Sequence, residues 1–211
     1  MKIDTMVTGA FDVNCYILHG TDHRAIVVDP GADASAIVAA LHQHGLSVAA
    51  FLLTHGHADH LGALAEVAAV FPAPIHITAT DGAWAFSPLN QILPFYGPPA
   101  KPSGEWVWIE DNQTVDAAGL TCKVIASPGH SPGGVCFYFE KDEVLISGDT
   151  LFKGSVGRSD LKGGDPRVLS QSLARLATLP GSTRVYPGHG ASTTMAEEKT
   201  SNFFLRGARK G

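Results

Sequence analysis

Four side chains able to bind a metal ion crowd into six consecutive positions, His55-Gly56-His57-Ala58-Asp59-His60. Imidazole and carboxylate groups set directly after the apolar run 48–53 are costly to bury unpaired, and a cation resolves that conflict. His55 and His57, two apart in a turn, can point to one ion, while Asp59 and His60 at a helix entrance can reach a second. Gly56 and Ala58 keep the intervening backbone small and close to the site. Three more candidates each follow an apolar run: His130 in Ser-Pro-Gly-His, Asp149 in Ser-Gly-Asp and His189 in Tyr-Pro-Gly-His. A lone histidine after Pro-Gly is an ordinary turn residue, but beside the first cluster His130 and His189 read as ligands. His19, His23, His42, His44 and His76 lack such company and read as solvated or packed.

The elements that must position these groups are legible as apolar periodicity. Runs at 3–7, 15–18 and 25–28, broken by Gly20 and Asp29-Pro30-Gly31, predict antiparallel strands in a meander. Helical spacing over 34–44, with Asp33 to cap it and Gly45 to end it, predicts a helix. A strand at 48–53 leads into the histidine cluster, and a helix over 58–70 leaves it, closed by Pro72 and Pro74. After a short strand at 75–78, residues 79–104 mix Pro, Gly and aromatics without periodicity, which predicts a long loop with one helical turn. Its 86–104 portion, with Phe95 and Tyr96, reads as ordinary packing, with an apolar lid or an oligomer contact as the functional alternatives.

Further strands are expected at 106–109, 120–126, 135–139, 144–147 and 184–186, with helices over 166–179 and 192–201. Sheet with helices, followed by sheet with helices, fits an α+β fold of four layers, an αββα sandwich formed as a single domain over 1–211. In packed layers the strand ends converge on one rim, where His55, His130, Asp149 and His189 can meet.

These residues, with the Asp-Pro-Gly turn and the Gly148-Asp149-Thr150 segment, resemble the metallo-β-lactamase superfamily over nearly the whole chain, and more closely its glyoxalase II branch. The stretch from Gly148 to Asp160 is similar to the short bacterial hydroxyacylglutathione hydrolases. The resemblance implies that His55, His57 and His130 hold one divalent ion, that Asp59, His60 and His189 hold the other, and that Asp149 bridges them. Zinc is the first expectation, with iron or manganese also suited to imidazole and carboxylate donors. Ions about 3.5–4 Å apart would bring a shared water's pKa toward ~7, supplying a hydroxide nucleophile for an acyl carbonyl. Asp59 is expected to be a ligand first and to orient that hydroxide second.

A thioester suits such a site because thiolate leaves with little protonation. The implied substrate is S-(2-hydroxyacyl)glutathione, such as lactoylglutathione, or a related small thioester. Arg158 stands where larger glyoxalase II enzymes direct a basic residue toward glutathione, although pairing with Asp160 is an equal reading. Gly190-Ala191 follows the last ligand where those enzymes carry a tyrosine, and their C-terminal extension is not expected here. The rivals are a mono-iron persulfide dioxygenase using His55, His57 and Asp149, and a lactonase or other ester hydrolase.

Composition narrows the partners. A hydrophobic share of 45% and a charged share of 17% describe a globular interior. The formal charge of -5 argues against nucleic acid, which needs a broad basic face. No run approaches the ~20 apolar residues of a membrane span, and the start does not read as a signal peptide, so a cytoplasmic protein is expected. Cys15, Cys122 and Cys136, odd in number and without CxxC spacing, read as buried apolar fillers. Arg206, Arg209 and Lys210 read as a solvated tail.

Overall fold

Three separate bands of buried side chains account for the layering of the computed structural model, which describes residues 1–208. Strands β1 (Lys2–Thr8), β2 (Val13–His19), β3 (Arg24–Val28), β4 (Ser47–Leu52), β5 (Ile75–Ile77) and β6 (Trp106–Trp108) form one sheet in that order. Strands β7 (Thr114–Ala117), β8 (Leu120–Ala126), β9 (Val135–Phe139), β10 (Val144–Gly148), β13 (Arg184–Pro187) and β14 (Thr193–Thr194) form the other, in the order β14-β13-β10-β9-β8-β7. A small ribbon pairs β11 (Leu151–Phe152) with β12 (Ser155–Val156). The helices are α1 (Ala34–Gln43), α2 (Ala58–Leu61), α3 (Leu64–Val70), α4 (Ala79–Gly82), α5 (Pro166–Leu176), α6 (Met195–Ser201) and α7 (Phe203–Ala208).

Alternate residues of the central strands enter different cores, as a two-residue period demands. Cys15, Ile17, Val27 and Phe51 pack on Ile37 and Leu41 of α1 and Leu64 of α3. Their neighbours Tyr16, Leu18, Val28 and Leu52 meet Val124, Phe137 and Ile146 between the sheets. On the far face Cys136, Tyr138 and Leu145 pack on Leu169, Leu173 and Leu176 of α5. Strands buried on both faces read as continuous apolar runs, and each large side chain so buried contributes about 1.5–3 kcal/mol. The αββα sandwich is therefore the observed architecture, with all three cysteines buried as fillers.

Several expectations need correction, the first being the Asp33 cap of α1: its side chain makes no capping bond and instead accepts from the Gly9 amide at 2.8 Å. The helix over 58–70 is two helices, because the Ala63 amide donates to the Pro30 carbonyl at 3.0 Å instead of continuing the helical ladder. Gly62 permits this approach, since a side chain there would strike the Gly31 carbonyl. Strand β7 was not expected, because Thr114 and Asp116 are polar residues on an exposed edge. The helix expected over 192–201 begins only at Met195, residues 193–194 pairing instead with β13. The 86–104 portion is mixed: Tyr96 is buried against Phe11, whereas Leu89, Leu93 and Phe95 are more than half exposed. Arg206 is exposed, and Arg209 and Lys210 lie outside the described residues. No helix among the described residues is long and apolar enough to cross a membrane.

Strand direction sets where the site lies. Strands β10 and β13 are parallel, and β9 is antiparallel to both β8 and β10, so β8, β10 and β13 all end on one rim. In the first sheet β3 and β4 are parallel and deliver Asp29 and Thr54-His55 at their ends. Cross-sheet bonds bring these ends together: Val135 N–H donates to the Thr54 carbonyl and Asn14 N–H to the Gly188 carbonyl, each at 2.8 Å.

Candidate metal centre

All seven predicted ligands meet at this rim, and four of the five imidazoles are held by their outward nitrogen. His130 Nδ1 lies 2.7 Å from the Arg158 carbonyl, His189 Nδ1 2.8 Å from the Phe11 carbonyl, and His60 Nδ1 3.1 Å from Asp29 Oδ2. Carbonyl and carboxylate oxygens only accept, so each of these Nδ1 atoms carries a proton, and Nε2 is the nitrogen left to bind a metal. The Thr54 hydroxyl donates to Asp29 at 2.6 Å and therefore accepts from His55 Nδ1 at 3.0 Å, which fixes the same tautomer in His55. This is how metal-binding histidines are ordinarily oriented.

The inward atoms gather in two groups. Ligand atoms of His55, His57 and His130 lie within 4.8 Å of one another, and so do those of Asp59, His60 and His189. Asp149 faces both: Oδ1 is 3.4 Å from His60 Nε2, and Oδ2 is 3.4 Å from His189 Nε2 and 3.5 Å from His130 Nε2. Asp29 with His55 and His60 forms a third cluster by distance. Its carboxylate, however, is already committed to the Thr54 amide and hydroxyl and to His60, so it orients ligands rather than adding a site.

Fit to a metal is tested by what is left unpaired. His55 Nε2, His60 Nε2 and Asp149 Oδ1 are buried with no hydrogen-bond partner among the described residues. Each such orphan costs about 1–3 kcal/mol unless a cation takes it up. His57 Nδ1 and His130 Nε2 face each other at 2.9 Å, an approach a shared ion also explains. Gly188 completes the cradle, since a side chain there would overlap Asp149 Oδ1 and His60. The His and Asp clusters thus fit a dinuclear site.

Electrostatics divides the groups. Burial, then the neighbouring imidazoles, holds His55 well below the ordinary histidine value, and the same causes bring His57 to about 3. Burial also opposes charge on His60 and His189, but Asp149 with Asp59 and Asp29 together outweighs it at His60, and Asp149 with the Phe11 carbonyl does so at His189, so both are raised; Asp149 itself is held well below the usual carboxylate range. At pH 7 the first group therefore takes up an ion without displacing protons from His55 or His57. The second must release them, so its affinity falls as pH drops below the raised values, and it empties first on acidification. Calorimetric titration in buffers of different ionisation enthalpy counts these protons; equal release at both groups contradicts the assignment.

Arg158 contributes its carbonyl to His130, while its exposed guanidinium forms a two-pronged pair with Asp160 at 2.7 and 2.8 Å. Asp29 and Thr54 were not singled out as functional by sequence reasoning, although the Asp-Pro-Gly turn was a usable signal. Among the unpartnered histidines, His76 is buried with Nδ1 3.2 Å from the Phe51 carbonyl and His19 pairs with Asp4 at 3.1 Å. His23, His42 and His44 are exposed. Beside His57 opens a cleft of about 360 Å³, walled by Trp84, Leu89, Ile92, Pro132 and Leu161, with Lys162 also on its lining.

A two-sheet sandwich carrying this double His/Asp site defines a class of metal-dependent hydrolases. The chain belongs to the metallo-β-lactamase superfamily, whose family model matches residues 8–189. It is 36% identical to "Probable metallo-hydrolase YqgX" of Bacillus subtilis, over 98% of this chain and 99% of that one. It is 30% identical to hydroxyacylglutathione hydrolase GloC of Haemophilus influenzae, over 97% and 98%. Among solved structures, the B3 metallo-β-lactamase BLEG-1 superposes with a TM-score of 0.90 at 36% identity, over 97% of this chain and 99% of that one. TTHA1623 in a di-iron-bound form gives 0.81 at 34% identity, over 95% and 99%.

Proposed function

We propose that this protein hydrolyses small thioesters, S-(2-hydroxyacyl)glutathione such as lactoylglutathione foremost, at a dinuclear site. His55, His57 and His130 would hold one ion, Asp59, His60 and His189 the other, and Asp149 both. The observation that carries the reading is the pair of ligand groups with tautomers set by outward hydrogen bonds and a carboxylate facing both. Bound there, two divalent ions supply polarisation of the acyl carbonyl and a water ionised near neutral pH. The similarity to GloC supports the glutathione thioester, and the similarity to a di-iron form makes iron as reasonable a metal as zinc or manganese.

The chain's own residues do the rest. Asp59, 7% exposed, turns its carboxylate into the same space as His189 and orients the attacking water. The cleft beside His57 receives one arm of the substrate on the Trp84 and Ile92 side chains, and Lys162 offers its ammonium to a carboxylate on that arm. Arg158 can serve as a second cation for glutathione only by leaving Asp160. Replacing Lys162 with alanine is expected to raise KM for lactoylglutathione by up to about fivefold with kcat unchanged, the scale of an exposed ion pair. An unchanged KM removes Lys162 from substrate binding.

Metal analysis and lactoylglutathione turnover on one sample test the proposal. Two divalent ions per chain with thioester hydrolysis support it. One iron per chain, oxygen uptake on glutathione persulfide and no thioester turnover overturn it in favour of a dioxygenase. The similarity to BLEG-1 favours β-lactam hydrolysis as a second reading, so a chromogenic cephalosporin belongs in the same panel as simple lactones.

A further inference from the structure

Asp81, on α4, is fully buried, and no cation pairs with it among the described residues, yet four donors converge on its carboxylate. Oδ2 accepts from the Gly56 amide at 2.9 Å and the Ser131 hydroxyl at 2.6 Å. Oδ1 accepts from the Gly133 amide at 2.7 Å and the Trp84 indole at 3.3 Å. Gly56 is the residue between His55 and His57, and Ser131 directly follows His130. A single carboxylate thus grips the immediate chain neighbours of all three ligands of the first group. The second group depends on other partners: His60 on Asp29 and His189 on Phe11.

The segment around Asp81 holds the other side of the same turn. Asn90 Nδ2 donates to the Gly56 carbonyl at 2.8 Å, so both peptide polar groups of Gly56 are tied by it. The Trp84 ring packs on Gly56 and lies 5.3 Å from the His57 ring, centroid to centroid. Helix capping does not explain the buried charge, because Thr78 supplies the α4 cap. Burying a carboxylate is costly, and only strong charge-assisted bonds offset it. We infer that Asp81 is a positioning residue for the His55, His57 and His130 group alone, and that through Trp84 it couples this group to the cleft wall.

The inference rests on the dinuclear reading but not on the thioester. Asp81→Asn keeps the shape of the side chain while turning an amide nitrogen toward at least one N–H, which thereby loses its acceptor. Chelator competition on the purified variant is expected to show one ion weakened by about 10–100-fold, the usual cost of losing an outer hydrogen bond to a ligand, and the other unchanged. Matching against His130→Ala and His189→Ala identifies the weakened ion as that of the first group. Excess metal restores kcat; KM stays displaced where the new amide nitrogen faces Gly133 and Trp84, and returns to the wild-type value where it faces Gly56 and Ser131. Equal weakening of both ions marks a merely structural carboxylate, and wild-type affinity at both removes any role; either overturns the inference. Ser131→Ala and Asn90→Ala, each removing part of the clasp, repeat the test if Asp81→Asn does not fold. They are expected to weaken the same ion severalfold, and no change in either overturns the inference. Should the wild-type chain hold one ion only, the dinuclear reading fails, and the inference stands or falls on whether Asp81→Asn weakens that ion.

Discussion

Replacing Asp149 with alanine is expected to lower kcat/KM by roughly three orders of magnitude or more and to release metal, since preorganised charge at a reacting centre is worth about that much. Its side chain is only 10% exposed, and its two oxygens stand 3.4–3.5 Å from Nε2 atoms belonging to both ligand groups. Without it Asp59 is the one carboxylate left among the seven proposed ligands to offset two divalent ions, and the inward lone pairs of five imidazoles add no charge. In a buried site that imbalance is not screened by water. Asp149→Asn separates shape from charge: it preserves the volume and is expected to lose metal nearly as completely. Metal content, kcat/KM and circular dichroism on one preparation decide the matter. A folded Asp149→Ala chain that keeps two ions and turns over within tenfold of wild type would mean that the two groups do not share this residue.

The candidate site was legible in the sequence because its proposed ligands are local in pattern even though they are distant in the chain. His55 to His60 form a dense cluster, and His130, Asp149 and His189 each stand just past a strand, so rim geometry follows once the layers are recognised. The layers were legible because strands buried on both faces, such as Cys15 to Leu18 and Ala25 to Val28, show unbroken apolar runs. What escaped were features made by approach between segments. The break at Gly62 and Ala63 comes from the Pro30 carbonyl, more than thirty residues away, and no helical periodicity reports it. Strand β7 alternates polar and apolar residues on an open edge, where little burial marks it. Asp81 carries no motif at all; its meaning is the four donors that fold brings to it, from Gly56, Trp84, Ser131 and Gly133. The cleft proposed to receive the substrate is likewise assembled from separate segments, which bring Trp84, Pro132 and Leu161 together.

Asp29→Asn is expected to weaken both ions at once, each by at least about 10–100-fold, while leaving the fold intact. The native carboxylate receives the Thr54 amide on Oδ1 and both the Thr54 hydroxyl and His60 Nδ1 on Oδ2. The Thr54 N–H cannot accept, so the amide oxygen of asparagine must keep the Oδ1 place and its nitrogen must take the other. That nitrogen donates to His60 Nδ1, which drives the His60 proton to Nε2, the atom that faces the metal. It also donates to the Thr54 hydroxyl, whose own proton then turns to His55 Nδ1 and reverses His55 in the same way. One near-isosteric change therefore puts protons on a ligand atom in each group, a tautomer error rather than a packing defect. Asp29→Ala differs, because it strands three buried donors at about 1–3 kcal/mol each and is expected to cost stability as well. Chelator competition at both ions, with ¹⁵N shifts of the His55 and His60 rings in the metal-free protein at a pH high enough for both rings to be neutral, separates the cases. Ring nitrogens that keep Nδ1 protonated in a folded Asp29→Asn chain contradict the argument, and loss of only one ion shows that Thr54 does not relay the change to His55.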